Sequence, residues 1–220
     1  MKTRWILPLL FLFGLSGCNG WVSPETDARL TERYFTVLSG PPLPGMIVAS
    51  AVQWNADYAV TAAHTPFLLH QAYRCSTGCD LLFIAHKAKG PLPPWRHFRS
   101  GEAVTALGSS TLLIPMSARG KVWPVPFVDG DSASGERYAV HDAAIAKGMS
   151  GGPLLASDGA VLGINIGYLS GWTPPASRPD LAGMSRLSVF VPYRVIQREW
   201  LLFQAQLART ATGGLQAKNQ

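Results

Sequence analysis

Three short stretches of the 220-residue chain carry residue types suited to proton and acyl chemistry. Thr61-Ala62-Ala63-His64 ends an apolar run, and Asp80 stands directly before Leu81-Leu82-Phe83-Ile84. Gly148-Met149-Ser150-Gly151-Gly152-Pro153 surrounds a serine with glycine. A serine hydroxyl is a weak nucleophile until a base lies within hydrogen-bond reach. His64 suits that work, because an imidazole with an ordinary pKa of about 6.5 takes and returns a proton near neutral pH. An ionised Asp80 would hold the ring in the required tautomer and stabilise the imidazolium. Gly148 and Gly151 leave the backbone around Ser150 open to a reacting carbonyl and free to take conformations closed to other residues. The N–H groups of Gly148 and Ser150 are then candidates to hold a developing oxyanion, where loss of one donor costs about 2.7–4 kcal/mol.

Together these segments resemble the trypsin/chymotrypsin-like serine endopeptidases, especially the bacterial branch that includes Deg-type and glutamyl endopeptidases. The resemblance covers roughly residues 45–200. It includes Gly101–Gly108 as the opening strand of a second barrel, and Ser157-Asp158-Gly159 leading into Val161-Leu162-Gly163-Ile164-Asn165. It implies an all-β fold of two six-stranded antiparallel β-barrels with the site in the cleft between them, and a C-terminal α-helix. By the same resemblance His64, Asp80 and Ser150 form the triad, the amides of Gly148 and Ser150 form the oxyanion hole, the substrate is polypeptide, and no cofactor or metal is required.

The pattern departs from the family at two places. Only 15 residues lie between His64 and Asp80, so Asp57, Asp129 and Asp131 stay open as alternatives for the acid. Met149 occupies the position where Asp or Asn is usual; it carries no proton in the chemistry, so the question it raises is what steadies the loop. Family position puts the floor of the pocket at Ala144 and Ile145, with Asn165-Ile166-Gly167 as a wall. Neither floor residue is acidic, which disfavours an Arg/Lys preference and points to a small or apolar residue before the scissile bond. His141, nine residues before Ser150, is either a pocket histidine, as in some acid-preferring relatives, or a surface or structural one.

The elements that must position these groups read as strands. Met46–Trp54, Tyr58–Ala62, Leu81–Ala85, Gly101–Gly108, Val122–Val128, Arg137–His141, Pro153–Ala156, Val161–Ile166 and Leu187–Val191 are short apolar or alternating runs between turn residues. Asn55-Ala56-Asp57 and Ser157-Asp158-Gly159 are turn signals. From Tyr193 the period changes: Ile196, Trp200, Phe203 and Leu207 share one helical face. The expected organisation is 18–44 as a lead-in with a short helix near Ala28–Tyr34, 45–99 and 100–191 as the two barrels, 192–209 as the helix, and 210–220 as a frayed tail. Gly171–Pro179 is a Pro-rich loop at the cleft or over a barrel end.

The first residues read as export rather than fold. Lys2 and Arg4 precede the apolar run Trp5–Leu15, too short to span a bilayer, and Leu15-Ser16-Gly17-Cys18 follows. This resembles a bacterial lipoprotein signal over 1–17, with Cys18 lipidated and the protein anchored to a membrane surface. Asn19 leans the expected location towards the periplasmic side of the outer membrane. Acylation of Cys18 would leave Cys75 and Cys79, which in an oxidising compartment are expected to form a disulfide; free thiols or a metal site are the alternatives.

Composition excludes several classes. Charged residues make up only 15% of the chain against 47% hydrophobic, which is not the balance of a disordered protein. The 22 Gly and 17 Pro disfavour a helical bundle. The formal charge of +6 falls to +4 once Lys2 and Arg4 are removed, and no basic stripe accompanies it, so nucleic acid is not an expected partner. Two other readings remain: a catalytically idle member of the fold acting as a lipoprotein binding module, and an esterase. The esterase lacks the serine-to-helix elbow it would need, since strand signals follow Pro153.

Overall fold

A computed structural model describes residues 19–40, 47–128 and 135–217. Strand β1 (Ser23–Pro24) and the single-turn helix α1 (Ala28–Thr31) lead into β2 (Phe35–Ser39). Asp27 caps α1 by accepting from Arg29 N–H. Then come β3 (Ile47–Gln53), β4 (Tyr58–Thr61), β5 (Gln71–Arg74) and β6 (Leu82–Ala85). The turn between β3 and β4 is made by Asn55, whose side-chain oxygen accepts from the N–H groups of Asp57 and Tyr58, both at 3.0 Å. These strands form one antiparallel sheet in the order β2-β3-β4-β6-β5.

The second unit is built from β7 (Ala103–Ser109), β8 (Pro115–Val128), β9 (Arg137–His141), β10 (Pro153–Ala156), β11 (Val161–Leu169) and β12 (Leu187–Pro192). It runs β8-β7-β10-β11-β12-β9, and the β8–β9 pairing closes the ring, so this unit is a six-stranded barrel. Strand β1 adds to the outside of β8. The all-β, two-unit, chymotrypsin-like expectation therefore holds, with one correction of detail. Among the described residues the first unit is an open sheet of five strands, not a ring of six. The reason lies in residues 86–100, which lead from β6 to β7. Pro91, Pro93 and Pro94 deprive that segment of ladder donors. After His86 and Ala88 donate to Asp57 O and Ala56 O of the first unit, the segment turns to the other unit, through a bridge between Trp95 and Val161.

Several expected boundaries move. Residues 35–39 of the lead-in are β2, residues 71–74 are an unforeseen strand, and β8 begins at Pro115 rather than Val122. The C-terminal helix α2 spans Tyr193–Ala217, through most of the stretch expected to fray. Its far end lacks an apolar face but still satisfies its own main chain, as a helix can without tertiary packing.

Helix α2 emerges from the barrel and packs back onto the first sheet. Trp200 lies 5.6 Å from Phe83 between ring centroids, and Phe203 lies 5.2 Å from Tyr58 and 5.0 Å from Tyr73. One apolar cluster thus runs from Val60 and Phe83, through Ile196 and Phe203, to Val140 and Val191 of the barrel. Burying Phe203 alone is worth about 1.5–3 kcal/mol. The helix is a clasp that fixes the two units against each other. Glu199 sits on its inner face, fully buried. It accepts from Ser76 N–H at 2.7 Å and from the Tyr73 hydroxyl at 3.1 Å.

Candidate active site

His64 follows β4 by three residues and Asp80 precedes β6 by two. Thr61 pairs directly with Leu82, so the antiparallel ladder brings the two ends to the same edge of the sheet. The short connection between them does not defeat the pairing, because the 15 intervening residues need supply only the four-residue strand β5 and two tight loops. Asp80 Oδ2 lies 2.6 Å from His64 Nδ1, and Asp80 Oδ1 accepts the main-chain N–H of His64 at 2.7 Å. A carboxylate can only accept, so Nδ1 carries the proton and Nε2 presents a lone pair. The Asp80 hydrogen bond holds the His64 pKa above its ordinary value, against the opposing effect of burial.

Asp80 is itself fixed from behind. Cys75 and Cys79 form the expected disulfide, with Cα atoms 5.4 Å apart, immediately before Asp80. Asp80 N–H donates to the Tyr138 hydroxyl of the barrel at 2.9 Å. Asp57 is an exposed turn residue away from His64, and Asp129 and Asp131 lie outside the described residues.

The serine loop is wedged between the two units. An added β-carbon at Gly151 would collide with Ser50 O and Thr61 Oγ1 and come within 3.0 Å of Ala62 N, two residues before His64. Gly148, at φ +95°, backs onto Ser109 and Ser110. Both positions require glycine, for conformation and for closeness. In the loop, Met149 N–H donates to Ala146 O at 3.1 Å, Gly151 N–H to Asn165 O at 2.7 Å, and Gly152 N–H to Met149 O at 3.0 Å. The N–H groups of Gly148 and Ser150 donate to nothing among the described residues. They are the pair assigned to the oxyanion from sequence, and native structures leave few main-chain donors unused without a purpose. No hydrogen bond joins Ser150 Oγ to His64 among the described residues. Catalytic hydrogen bonds are often long before substrate arrives.

The trypsin-like peptidase domain family matches residues 18–164. The chain belongs to that family. Its fold is similar to an HtrA-type protease, AlgW, in a variant form with a tripeptide: 19% identical, TM-score 0.58, covering 78% of this chain and 60% of that one. It is similar to the Rv3671c protease in an inactive form: 14% identical, TM-score 0.61, covering 82% and 97%. It is also similar to a serine endoprotease from Yersinia pestis: 18% identical, TM-score 0.58, covering 82% and 67%. The chain thus spans about 60% of the length of the HtrA-type protease. No curated protein matches it.

In this trypsin-like domain the expected pocket residues fall into two groups. Ile166 and Gly167 are partly exposed on β11. Ala144 and Ile145 are buried, at 1% exposure each, and form packed floor rather than open surface. Asn165 corrects the expectation of a pocket wall: its side chain turns inward, donating to Pro153 O at 3.2 Å. His141 does not line an open pocket either. It is fully buried, its Nε2 3.1 Å from Asn165 Oδ1, while its Nδ1 has no partner. Burial pushes its pKa down to about 4, so the ring is neutral.

Three contributors were not singled out from the sequence: Ser50, Tyr138 and Glu199. None sits in a motif. A fully buried Glu199 follows from its place on the apolar face of α2, where a carboxylate must have partners. Cys18 and the expected signal over 1–17 lie outside the described residues. A hollow of about 780 Å³ lined by Arg33, Tyr34, Gln53, His86 and Pro93 shares no residue with the site. Among the described residues no His/Cys/Asp/Glu cluster could hold a metal, and no helix is long and apolar enough to cross a membrane.

Proposed function

We propose that the protein is an exported, lipid-anchored serine endopeptidase acting through an acyl-enzyme. The observation that carries this reading is the His64–Asp80 pair, which leaves Nε2 basic, beside a serine loop with two unspent amides. Ser150 Oγ attacks the scissile carbonyl carbon as Nε2 takes its proton, and the Gly148 and Ser150 N–H groups hold the oxyanion. Collapse breaks the C–N bond, and the imidazolium returns that proton to the leaving amine. A water molecule, deprotonated by the same nitrogen, then attacks the acyl carbon and restores Ser150. Asp80 orients His64 throughout. The packed, uncharged floor at Ala144 and Ile145 favours a small or apolar residue before the cleaved bond.

The decisive experiment exposes purified protein to an organofluorophosphonate beside Ser150→Ala. Labelling of the wild type alone between pH 6 and 9 is the expected result; absence of labelling ends the peptidase reading. The idle binding module is the second reading, favoured by the missing Ser150–His64 hydrogen bond, and the same experiment decides it. Anchoring is tested separately. Cys18→Ser should release the protein from bacterial membranes, and unchanged partitioning refutes lipidation. The site assigned to the anchor is the periplasmic side of the outer membrane.

A further inference from the structure

Met149 leaves the serine loop without the usual polar side chain ahead of the nucleophile, and its actual surroundings are apolar. Met149 is fully buried among Ile145, Ala146, Leu154 and Phe190 in the core of the barrel. Its sulfur receives only the Ala146 N–H, at 3.3 Å. Something else must fix the segment 143–148, which carries both the pocket floor and one oxyanion donor.

Ser50 Oγ holds the Gly148 end of that segment, donating to Gly148 O at 3.0 Å, and the polar contacts to its Ile145 end come from the chain's N-terminal strap. Asn19 Oδ1 accepts the N–H of Ile145 at 2.8 Å, and Asn19 N–H donates back to Ile145 O at 3.4 Å. Asn19 Nδ2 donates to Ser188 Oγ at 2.8 Å and to Leu187 O at 3.3 Å, on β12. Ser188 Oγ in turn donates to Ala143 O at 2.7 Å. Asn19, Ser188 and Ala143–Ile145 therefore close a ring in which each partner is satisfied. Gly20 lies flat against the Arg186 stem, and Arg186 Nε donates to Asp142 O at 3.1 Å just ahead of the ring. Val22 packs on the same core as Met149, and β1 then ties the strap to Met116 and Ser117 of β8. An amide side chain suits this place because it offers an acceptor to one wall and donors to the other at once.

We infer that Asn19 is a positioning residue for the proposed reaction: it pins the 143–148 segment to β12 and so holds Gly148 where its N–H can serve the oxyanion. The inference rests on the peptidase reading, and it gives the residue next to the expected lipid-bearing Cys18 a role in the site. The anchor and the active loop then share one short stretch of chain.

The test uses the mature full chain as wild type, Asn19→Ala, Asn19→Asp and, as a stability control, Phe203→Leu. Two measurements are made on each: the rate of organofluorophosphonate labelling per folded molecule, and hydrogen exchange at the Ile145 amide. Losing a hydrogen bond that orients the loop should slow labelling in Asn19→Ala by about tenfold and speed Ile145 exchange. Asn19→Asp keeps the acceptor for Ile145 N–H but loses the donors to Ser188 Oγ and Leu187 O, so it should restore Ile145 protection only in part and leave labelling slower than in the wild type. Phe203→Leu should lower the melting temperature without slowing labelling per folded molecule. Labelling in Asn19→Ala equal to wild type, or lost only as far as Phe203→Leu loses it at matched stability, overturns the positioning role and leaves the peptidase reading standing. If the wild type does not label, the peptidase reading fails and the positioning role of Asn19 with it, while Ile145 exchange still reports whether the pin exists.

Discussion

The main-chain N–H of Ser50 donates to the carbonyl of Ser150 at 2.8 Å, joining the first sheet to the serine loop of the barrel. The Ser50 side chain adds to this. Its hydroxyl donates to Gly148 O at 3.0 Å and accepts from Ser109 N–H at 2.9 Å. Its carbonyl accepts the Thr61 hydroxyl at 2.7 Å, three residues before His64. One residue thus touches the nucleophile's peptide, the proposed oxyanion donor's peptide and the strand that presents the base.

Ser50→Ala should separate these roles. It keeps the N–H bond to Ser150 O but strips Gly148 O of a donor and leaves the buried Ser109 N–H unpaired, a cost of about 1–3 kcal/mol. The melting temperature is expected to fall by several degrees. Organofluorophosphonate labelling per folded molecule is expected to fall as well, because the Gly148 peptide is free to turn. Labelling undiminished at full folding would show that Ser50 supports the fold alone.

The raised His64 pKa sets the pH dependence of labelling. The neutral imidazole is the active base, and a raised pKa delays its appearance as pH climbs. The labelling rate should reach half its maximum above pH 6.5. Asp80→Asn removes the chief cause of the shift, so the midpoint should move to lower pH. The plateau should fall by roughly three to four orders of magnitude, because the ring loses its enforced tautomer. A midpoint that stays put in Asp80→Asn would separate Asp80 from His64 in solution.

The chemistry-bearing residues were legible because each sits in a local context that only one conformation serves. Gly148 and Gly151 announce their backbone geometry, and Asp80 stands at the foot of an apolar strand. What stayed hidden depends on residues brought together across the fold. Asn165 reads as strand, but nothing local says that its amide faces inward to His141; only the assembled barrel brings the two side chains together. The strand Gln71–Arg74 has neither alternation nor turn signals of its own and forms because β6 offers it an edge. Asn19 opens the lead-in beside Cys18, where its residue type bears on the expected location and nothing local ties it to Ile145.

The buried His141 makes stability depend on pH below neutrality. Its folded pKa of about 4 lies below the ordinary value of about 6.5, so between these values the unfolded chain binds a proton that the folded chain does not. Stability should therefore fall as pH drops from 6.5 towards 4, by about 3 kcal/mol in all. His141→Gln keeps a donor for Asn165 and cannot titrate. Denaturant unfolding at stepped pH should show a flatter profile across this window for His141→Gln than for wild type. Parallel profiles would mean that the ring protonates in place.

Glu199 governs a lower window with the opposite kind of shift. Burial pushes its pKa up, but the Ser76 N–H, Arg198 and the hydroxyls of Ser76 and Tyr73 outweigh it and hold the carboxyl below its ordinary value. A depressed carboxylate stabilises the fold at pH above the unfolded pKa of about 4.5, and that contribution is lost as pH falls through the folded value. Glu199→Gln is neutral at every pH, so it should remove this acid-side slope while lowering stability at pH 7. The effect should reach the site, because Glu199 holds Ser76 inside the Cys75–Cys79 ring that leads directly to Asp80. The same variant is therefore expected to quicken hydrogen exchange at Ser76 and Asp80 before the sheet as a whole opens. Exchange quickened equally across β3 and β4 would make Glu199 a support of the clasp between helix and sheet rather than of the acid that orients His64.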